Sequence, residues 1–508
     1  MIDELRNEYL NGSNTNVAYS ENGAKMNATT GKALLDLSFK VPQYRGVKKF
    51  NSAHDSLFLH AFYENPEMFL RYLFYMRDVR GGMGERNTFR NAYAWLCNQR
   101  PDMAVKMLSL IPEYGRWDDL VDIALTSTNQ DISARAAQII VEQLRADNET
   151  DNVSLLGKWL PSVNAGKGSR NSAKRLIKLI NNSTDMMIHE AEYRKMLSSL
   201  RYKINIVEHN IASKEYSTIN YETVPSLANI RYSRLFLKYD SARRNEYLQA
   251  LQKGEVKINS SVAFPHDIYK MCGSDPRTAD EMWKALPDYI GDASGVIVVR
   301  DGSGSMTFRI PNSTTQALDV ASALSVYFAE KLHGEFHNKF ITFSSRPRLV
   351  EFPEHMKSLS EKRRFLNSYN ECSNTNIEAT FDLLLNTAVH NNMKQEDIPG
   401  TILIISDMEF DYSTTDRSDN LFNVIARKWE NAGYTLPKLV FWNVNSRTCA
   451  IPMTANKSGV ILVSGFSAAI CKMVMSDEMD PYLALVKTLK TERYDPVVNC
   501  VAEELSKF

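Results

Sequence analysis

The run Val296-Ile297-Val298-Val299 is apolar, mostly β-branched, ends at Arg300, and gives way at once to Asp301-Gly302-Ser303-Gly304-Ser305-Met306. Such a run, cut off by a Gly/Ser turn, predicts a strand buried on both faces, the kind found in parallel sheets covered by helices on each side. In a sheet of that kind, ligands collect outside the carboxyl ends of the strands. The turn therefore delivers one carboxylate, Asp301, and two hydroxyls, Ser303 and Ser305, to the place where ligands bind. These are hard oxygen donors, suited to Mg²⁺ or Mn²⁺. The plainer alternative is an ordinary Gly/Ser turn.

The surrounding sequence agrees with a strand in an α/β sheet. From about Gly291, apolar strands alternate with amphipathic helices: strands near 295–300, 339–344, 347–352, 401–406, 438–444 and 459–464, helices near 313–332, 358–369, 377–390 and 418–432, and two closing helices. This βα alternation predicts a mostly parallel, doubly wound, Rossmann-like sheet. Residues 51–290 have a different pattern. Helical periods run over 66–79, 101–111, 116–126, 131–146, 169–181 and 189–210, and another follows the Arg80-Gly81-Gly82-Met83-Gly84 break, with Phe89, Tyr93 and Leu96 on one face. Short helices at this density predict an all-α, HEAT-like solenoid, although no strict repeat period is visible. Residues 1–50, rich in Asn, Ser, Gly and Lys, read as a polar, loosely structured arm. The expected organisation is thus an arm at 1–50, a helical repeat domain at 51–290 and an α/β domain at 291–508.

The Asp301-Gly-Ser303-Gly-Ser305 turn after the first strand resembles the metal-ion-dependent adhesion site of von Willebrand factor A domains. In that family, a threonine and an aspartate from two later loops complete the metal shell. Thr375, in Cys372-Ser373-Asn374-Thr375-Asn376, and Asp407, at the end of Thr401–Ser406, stand in the matching order and spacing. The resemblance implies that Ser303 and Ser305 ligate Mg²⁺ (or Mn²⁺) directly, Asp301 and Asp407 act largely through bound water, and Thr375 ligates in the engaged state. It also implies an open position that takes a carboxylate from a protein partner. Two departures affect partner access. Ser373-Asn374 stands where the family usually has two glycines, and Met408 follows Asp407 in place of glycine. Glu409 and Asp411, just beyond, read as solvated loop acids.

Other chemical motifs fall away on spacing. Ala165-Gly166-Lys167-Gly168-Ser169 lacks the first glycine and the terminal hydroxyl of a Walker A loop. Gly334, a helix-ending residue, separates His333 from His337, so no zincin face is expected. No nucleophile elbow frames Ser303, which argues for a protein that is not an enzyme. Six scattered cysteines without a CxxC pair predict free thiols. No apolar run reaches the roughly 18 to 20 residues that span a bilayer, and the N-terminus has no apolar signal core, so a cytoplasmic protein without a membrane partner is expected.

Net charge is zero, with 60 basic and 60 acidic residues, but the distribution is uneven. Lys158–Lys203 carries ten basic and three acidic residues. Lys158, Lys167, Arg170, Lys174, Arg175 and Lys178, with Arg80 and Arg86 beside the Gly81-Gly82-Met83-Gly84 turn, are candidate RNA-binding residues, because clustered cations can track a phosphate backbone. A helical repeat domain joined to a C-terminal A domain resembles the TROVE proteins, the Ro autoantigen ribonucleoproteins. That resemblance implies binding of small structured or single-stranded RNA. Phe74-Tyr-Met-Arg-Asp-Val-Arg-Gly-Gly-Met-Gly-Glu-Arg86, Tyr114-Gly-Arg-Trp-Asp-Asp-Leu120, Lys158-Trp-Leu-Pro-Ser162, Arg201-Tyr-Lys-Ile-Asn-Ile-Val-Glu208 and Val224-Pro-Ser226 resemble an uncharacterised family of the same two-part layout more closely. The expected function is a non-catalytic, monomeric RNA-binding scaffold with a Mg²⁺-dependent partner site. The alternative is a protein-only adaptor.

Overall fold

The computed structural model describes residues 16–204, 206–293, 295–344, 346–370, 376–410, 421–448, 450–452, 459–467, 470–475 and 478–508. Thr375 and Asp411 lie outside the described residues, as do Cys372 and Cys449. The N-terminal half is helical, and the C-terminal half is a six-stranded mixed sheet with helices packed against it.

The apolar runs become strands: β3 (Val296–Asp301), β4 (Lys339–Phe343), β5 (Leu349–Glu351), β6 (Thr401–Ser406), β7 (Lys438–Asn443) and β8 (Val460–Ser464), in the spatial order β5-β4-β3-β6-β7-β8. All neighbours are parallel except β5, which runs antiparallel to β4. From β3 the chain first builds outward through β4 and β5, then returns to β3's other side with β6. The strand order therefore reverses between β3 and β6, the place where sheets of this kind form a crevice outside the carboxyl ends of their strands. Every residue of β3 is buried, as its β-branched composition requires.

Residues 18–45 differ from the expected loose arm. A small hairpin, β1 (Ala18–Tyr19) with β2 (Lys25–Met26), leads into helix α1 (Ala33–Tyr44), where ten of twelve side chains are buried. α1 lies along β8, and its carbonyls accept hydrogen bonds from the sheet: Asn443 Nδ2 to Phe39 O at 2.9 Å and Ser464 Oγ to Ser38 O at 2.6 Å. The arm is thus a structural layer of the C-terminal half.

The helical half contains α2 (Pro66–Arg77), α3 (Asn87–Gln99), α4 (Trp117–Thr126), α5 (Gln130–Glu149), α6 (Lys167–Ser183) and α7 (Glu190–Ile204), among shorter helices. The single helix expected over 189–210 is two, α7 and Val207–Ser213. α2 is buried from Met68 to Arg77 on all sides, not only along the face of Phe69, Leu73 and Met76. The chain's last helices, including α12 (Pro481–Leu489), pack against α2. After α2 the chain turns so tightly that a Cβ on Gly82 would stand 2.0 Å from the Tyr75 carbonyl oxygen, and Met83 N donates to that oxygen at 3.0 Å. These glycines let the chain approach itself, which accounts for the Gly-Gly pair without any phosphate.

The two halves share one core. α8 (Pro265–Met271) packs on α9 (Ala317–Lys331), which lies on β3, while α10 (Ile377–His390) packs on α11 (Leu421–Asn431). α12 (Pro481–Leu489) returns to α2. At that seam, Arg71 donates to Leu489 O at 3.3 Å and to Asp495 Oδ1 at 2.8 Å. Asp78, fully buried, accepts from Arg493 Nη2 at 2.7 Å and from the Tyr494 hydroxyl at 3.0 Å.

Candidate metal centre

The register of β3 on β6 pairs Arg300 with Ile405, so the two strands end side by side and Asp301 meets Ser406. Asp301 is completely buried. Its Oδ1 accepts from Ser303 N at 2.9 Å and its Oδ2 from Ser406 Oγ at 2.6 Å. Ser303 Oγ lies 2.9 Å from Ser305 Oγ. Asp407, only 1% exposed, follows Ser406 directly. Asp407 Oδ1 accepts a long hydrogen bond, 3.4 Å, from Glu409 N. Among the described residues, Asp407 Oδ2 has no hydrogen-bond partner, and Arg447 Nη1 stands 3.6 Å from it.

The electrostatics show the two loops converging. Burial raises the Asp301 carboxyl, against the hydrogen bonds from Ser406 and Ser303. Burial also pushes Asp407 up to about 8. The Asp301 charge adds to that rise, while Arg447 and the Ser305 hydroxyl oppose it. Two buried carboxylates and two hydroxyls thus face one region with too little positive charge among them. That is the donor set of a small hard cation, and the unpartnered Asp407 Oδ2 is an oxygen such a cation would take up. Of the five side chains expected at a metal site, Asp301, Ser303, Ser305 and Asp407 lie together here. The fifth, Thr375, lies outside the described residues, just before Asn376, whose side chain caps α10 by accepting from Ala379 N at 2.9 Å. Among the described residues, no group of three or more His, Cys, Asp or Glu side chains is arranged to hold a metal.

Met408 has φ +64°, the left-handed conformation that glycine adopts most freely, so the departure from glycine at this position stores strain of about 1 kcal/mol. Glu409 corrects the expectation of a solvated acid. It is 1% exposed and accepts hydrogen bonds from Arg447 N (2.9 Å), Thr448 N (3.0 Å), Thr448 Oγ1 (3.2 Å) and Glu21 N (2.7 Å). It thereby fastens the β1–β2 hairpin and the loop after β7 to the rim of the crevice. Arg447, held there by its backbone, reaches Ser305 O at 3.4 Å and pairs with Glu21.

Arg300, which ends the apolar run, points away into the protein. Its guanidinium bonds Ser322 Oγ (3.1 and 2.9 Å) and Asn370 Oδ1, and burial lowers it to about 10. Glu21, Glu409 and Arg447 are separated by up to 426 residues, and no local spacing could have joined them.

The chain belongs to a family of unknown function. The model described as a domain of unknown function, DUF2828, matches residues 20–151 and 137–289, more than half of the chain. A second domain of unknown function, DUF7788, matches residues 295–496, which include β3 to β8 and the candidate metal centre. This DUF2828 protein is also similar to the uncharacterized protein L728 of Acanthamoeba polyphaga mimivirus, with 27% identity over 524 residues, covering 95% of this chain and 89% of the viral protein. The similarity therefore spans both halves.

The candidate RNA-binding residues of the DUF2828 region divide into two groups. Arg80 donates to Glu113 O at 2.6 Å, Arg86 stands 3.7 Å from Asp118, and Lys158 stands 3.6 Å from Glu208. Beside Arg86, Arg77 and Arg90 each hold Asp119 at 2.8 Å through Nε, so this cluster is an ion-pair network within the fold. Lys167, Arg170, Lys174, Arg175 and Lys178 are all exposed on α6. Arg170 and Arg175 spend one donor each on the carbonyls of Val163 and Leu125, and Lys174 pairs with Glu190 at 3.1 Å. No described helix is long and apolar enough to cross a membrane.

Proposed function

We propose that this protein is a non-catalytic, ribonucleoprotein-like scaffold. In this reading its helical half, a HEAT-like repeat similar to that of TROVE proteins, binds RNA. Its α/β half, similar to von Willebrand factor A domains, holds Mg²⁺ (or Mn²⁺) at Asp301, Ser303, Ser305 and Asp407, with Thr375 completing the set. The bound cation supplies a Lewis-acidic position for a carboxylate. The observation that weighs most is Asp407 Oδ2, a buried carboxylate oxygen without a hydrogen bond among the described residues, beside a second buried carboxylate. An ionised carboxylate in that position is costly unless a cation shares it.

The RNA half is supported by the exposed cations of α6. Lys167, Arg170, Lys174 and Lys178 follow one another at intervals of three and four residues and so share a face, with Arg175 at its edge. A titration of fluorescently labelled single-stranded and hairpin RNA at two salt concentrations tests this. If four of these cations contact phosphates, reversing them should weaken binding at least tenfold and flatten the log–log salt slope by about 3. Equal binding by wild type and the reversed variant would leave the protein-only adaptor as the better reading.

A further inference from the structure

Arg447 joins the cation centre to the N-terminal hairpin. One of its guanidinium nitrogens, Nη2, pairs with Glu21 Oε2, while Nη1 lies 3.6 Å from Asp407 Oδ2 and donates to Ser305 O at 3.4 Å. A single positive group thus bridges an acid of the hairpin, an acid of the β6 loop and the Asp-Gly-Ser-Gly-Ser turn. Its side chain also lies 4.5 Å over the Phe308 ring. The contacts link four segments, none adjacent in sequence.

The backbone on the Glu21 side is firmly fixed. Glu21 N donates to Glu409 Oε2 at 2.7 Å, Asn22 Nδ2 donates to Glu409 O at 2.7 Å, and Ser20 Oγ donates to Phe410 O. A few residues later, Asn27 and Ile451 exchange backbone hydrogen bonds at 2.9 and 2.8 Å. The Glu21 side chain, in contrast, is 53% exposed and is held only by its pairing with Arg447 among the described residues. The chain thus holds a carboxylate at the mouth of the crevice on a fixed backbone, opposite Asp407 across one guanidinium.

We propose that Glu21 supplies the carboxylate that fills the open position of the cation site, and that Arg447 occupies the bridging place between Glu21 and Asp407 while no cation is there. This rests on the cation reading of the Asp301–Asp407 centre. Mg²⁺ and Mn²⁺ gather oxygen ligands at short range, and a divalent ion answers both carboxylates better than one delocalised guanidinium charge. Cation entry breaks the approach of Arg447 to Asp407 and turns Glu21 inward, while Arg447 keeps its place over the Phe308 ring. The hairpin thereby becomes tied to β6 through the metal, and the occupant of the site is this chain's own segment. A partner's carboxylate must then compete with Glu21.

The test is a Mn²⁺ titration of the full-length protein, reading free Mn²⁺ by electron paramagnetic resonance, on wild type, Asp407→Asn, Glu21→Gln and Arg447→Met. The proposal predicts binding by wild type, loss in Asp407→Asn, at least about tenfold weaker binding in Glu21→Gln, and tighter binding in Arg447→Met. Hydrogen exchange on the same samples checks that Glu21→Gln keeps the hairpin, and predicts that Mn²⁺ slows exchange over residues 16–27 in wild type but not in Glu21→Gln. If wild type binds no Mn²⁺, the cation reading falls and this inference with it. If wild type binds, Asp407→Asn does not, and a folded Glu21→Gln equals wild type, the centre stands and Glu21 as its ligand is overturned.

Discussion

Glu409 shows how much one buried acid can organise. Its two oxygens accept four hydrogen bonds, three of them from backbone amides, and those amides belong to two segments far from it in sequence. Glu409→Ala leaves three amides without an acceptor and should cost about 3 kcal/mol or more in urea unfolding. Glu409→Gln, which keeps an acceptor, should cost clearly less, and equal losses would show that the amides find other partners. Asp36 carries a different signature. Thr29 Oγ1, Thr30 N and Thr30 Oγ1 donate to it at 2.5, 2.7 and 2.6 Å, yet burial pushes its carboxyl up to about 7, against Lys40 and the Thr30 amide. The folded protein therefore holds this proton more tightly than the unfolded chain does. The resulting stability is complete below about pH 4 and is lost as the pH rises through about 7, on the order of 4 kcal/mol in all. Asp36→Asn mimics the protonated side chain, so urea unfolding between pH 5 and 8 should show a flatter dependence than wild type. Parallel curves would exclude Asp36 as the source.

At the scale of elements, legibility followed periodicity. β3, β6, β7 and β8 stand out in the sequence because both faces of each strand are buried, which leaves nearly unbroken apolar runs. α1 does not, for the same reason in helical form. With ten of twelve residues buried it has no polar face to set a period, it contains Pro42, and polar sequence surrounds it. The basic residues near the Gly81-Gly82 turn were legible as charge but not as pairs, because Asp118, Asp119 and Asp122 arrive on α4, some thirty residues later. The grouping of Asp301, Ser303, Ser305 and Asp407 was legible, since each lies at or just beyond a strand end. The clamp formed by Glu21, Glu409 and Arg447 was not, since it depends on how distant segments meet. The packing of α1 also gives a prediction: Leu37, fully buried in the layer that covers β8, should cost about 2 to 5 kcal/mol when changed to alanine. A loss well under 1 kcal/mol would mean that α1 can leave the sheet without consequence.

At the scale of the molecule, the chain crosses between its halves at both ends. The N-terminal hairpin and α1 are built into the α/β half, while α12 and the residues after it are built into the helical half against α2. Removing either end would strip a buried layer from the half it covers. The two halves should therefore unfold together, and near-ultraviolet and far-ultraviolet circular dichroism should trace one coincident transition. Two separated transitions would show independent domains. The proposed cation site at Asp301 and Asp407 has the hairpin, the β3 turn, the β6 loop and the loop after β7 around it. Binding there should stabilise the whole fold by linkage. The decisive measurement is heat unfolding of wild type and Asp407→Asn with and without saturating MgCl₂. At a hundred times the dissociation constant, binding contributes about 2.7 kcal/mol, which for a chain of this length raises Tm by about 2 to 3 °C. The account predicts that rise in wild type and none in Asp407→Asn. No rise in wild type, or the same rise in both, would contradict it.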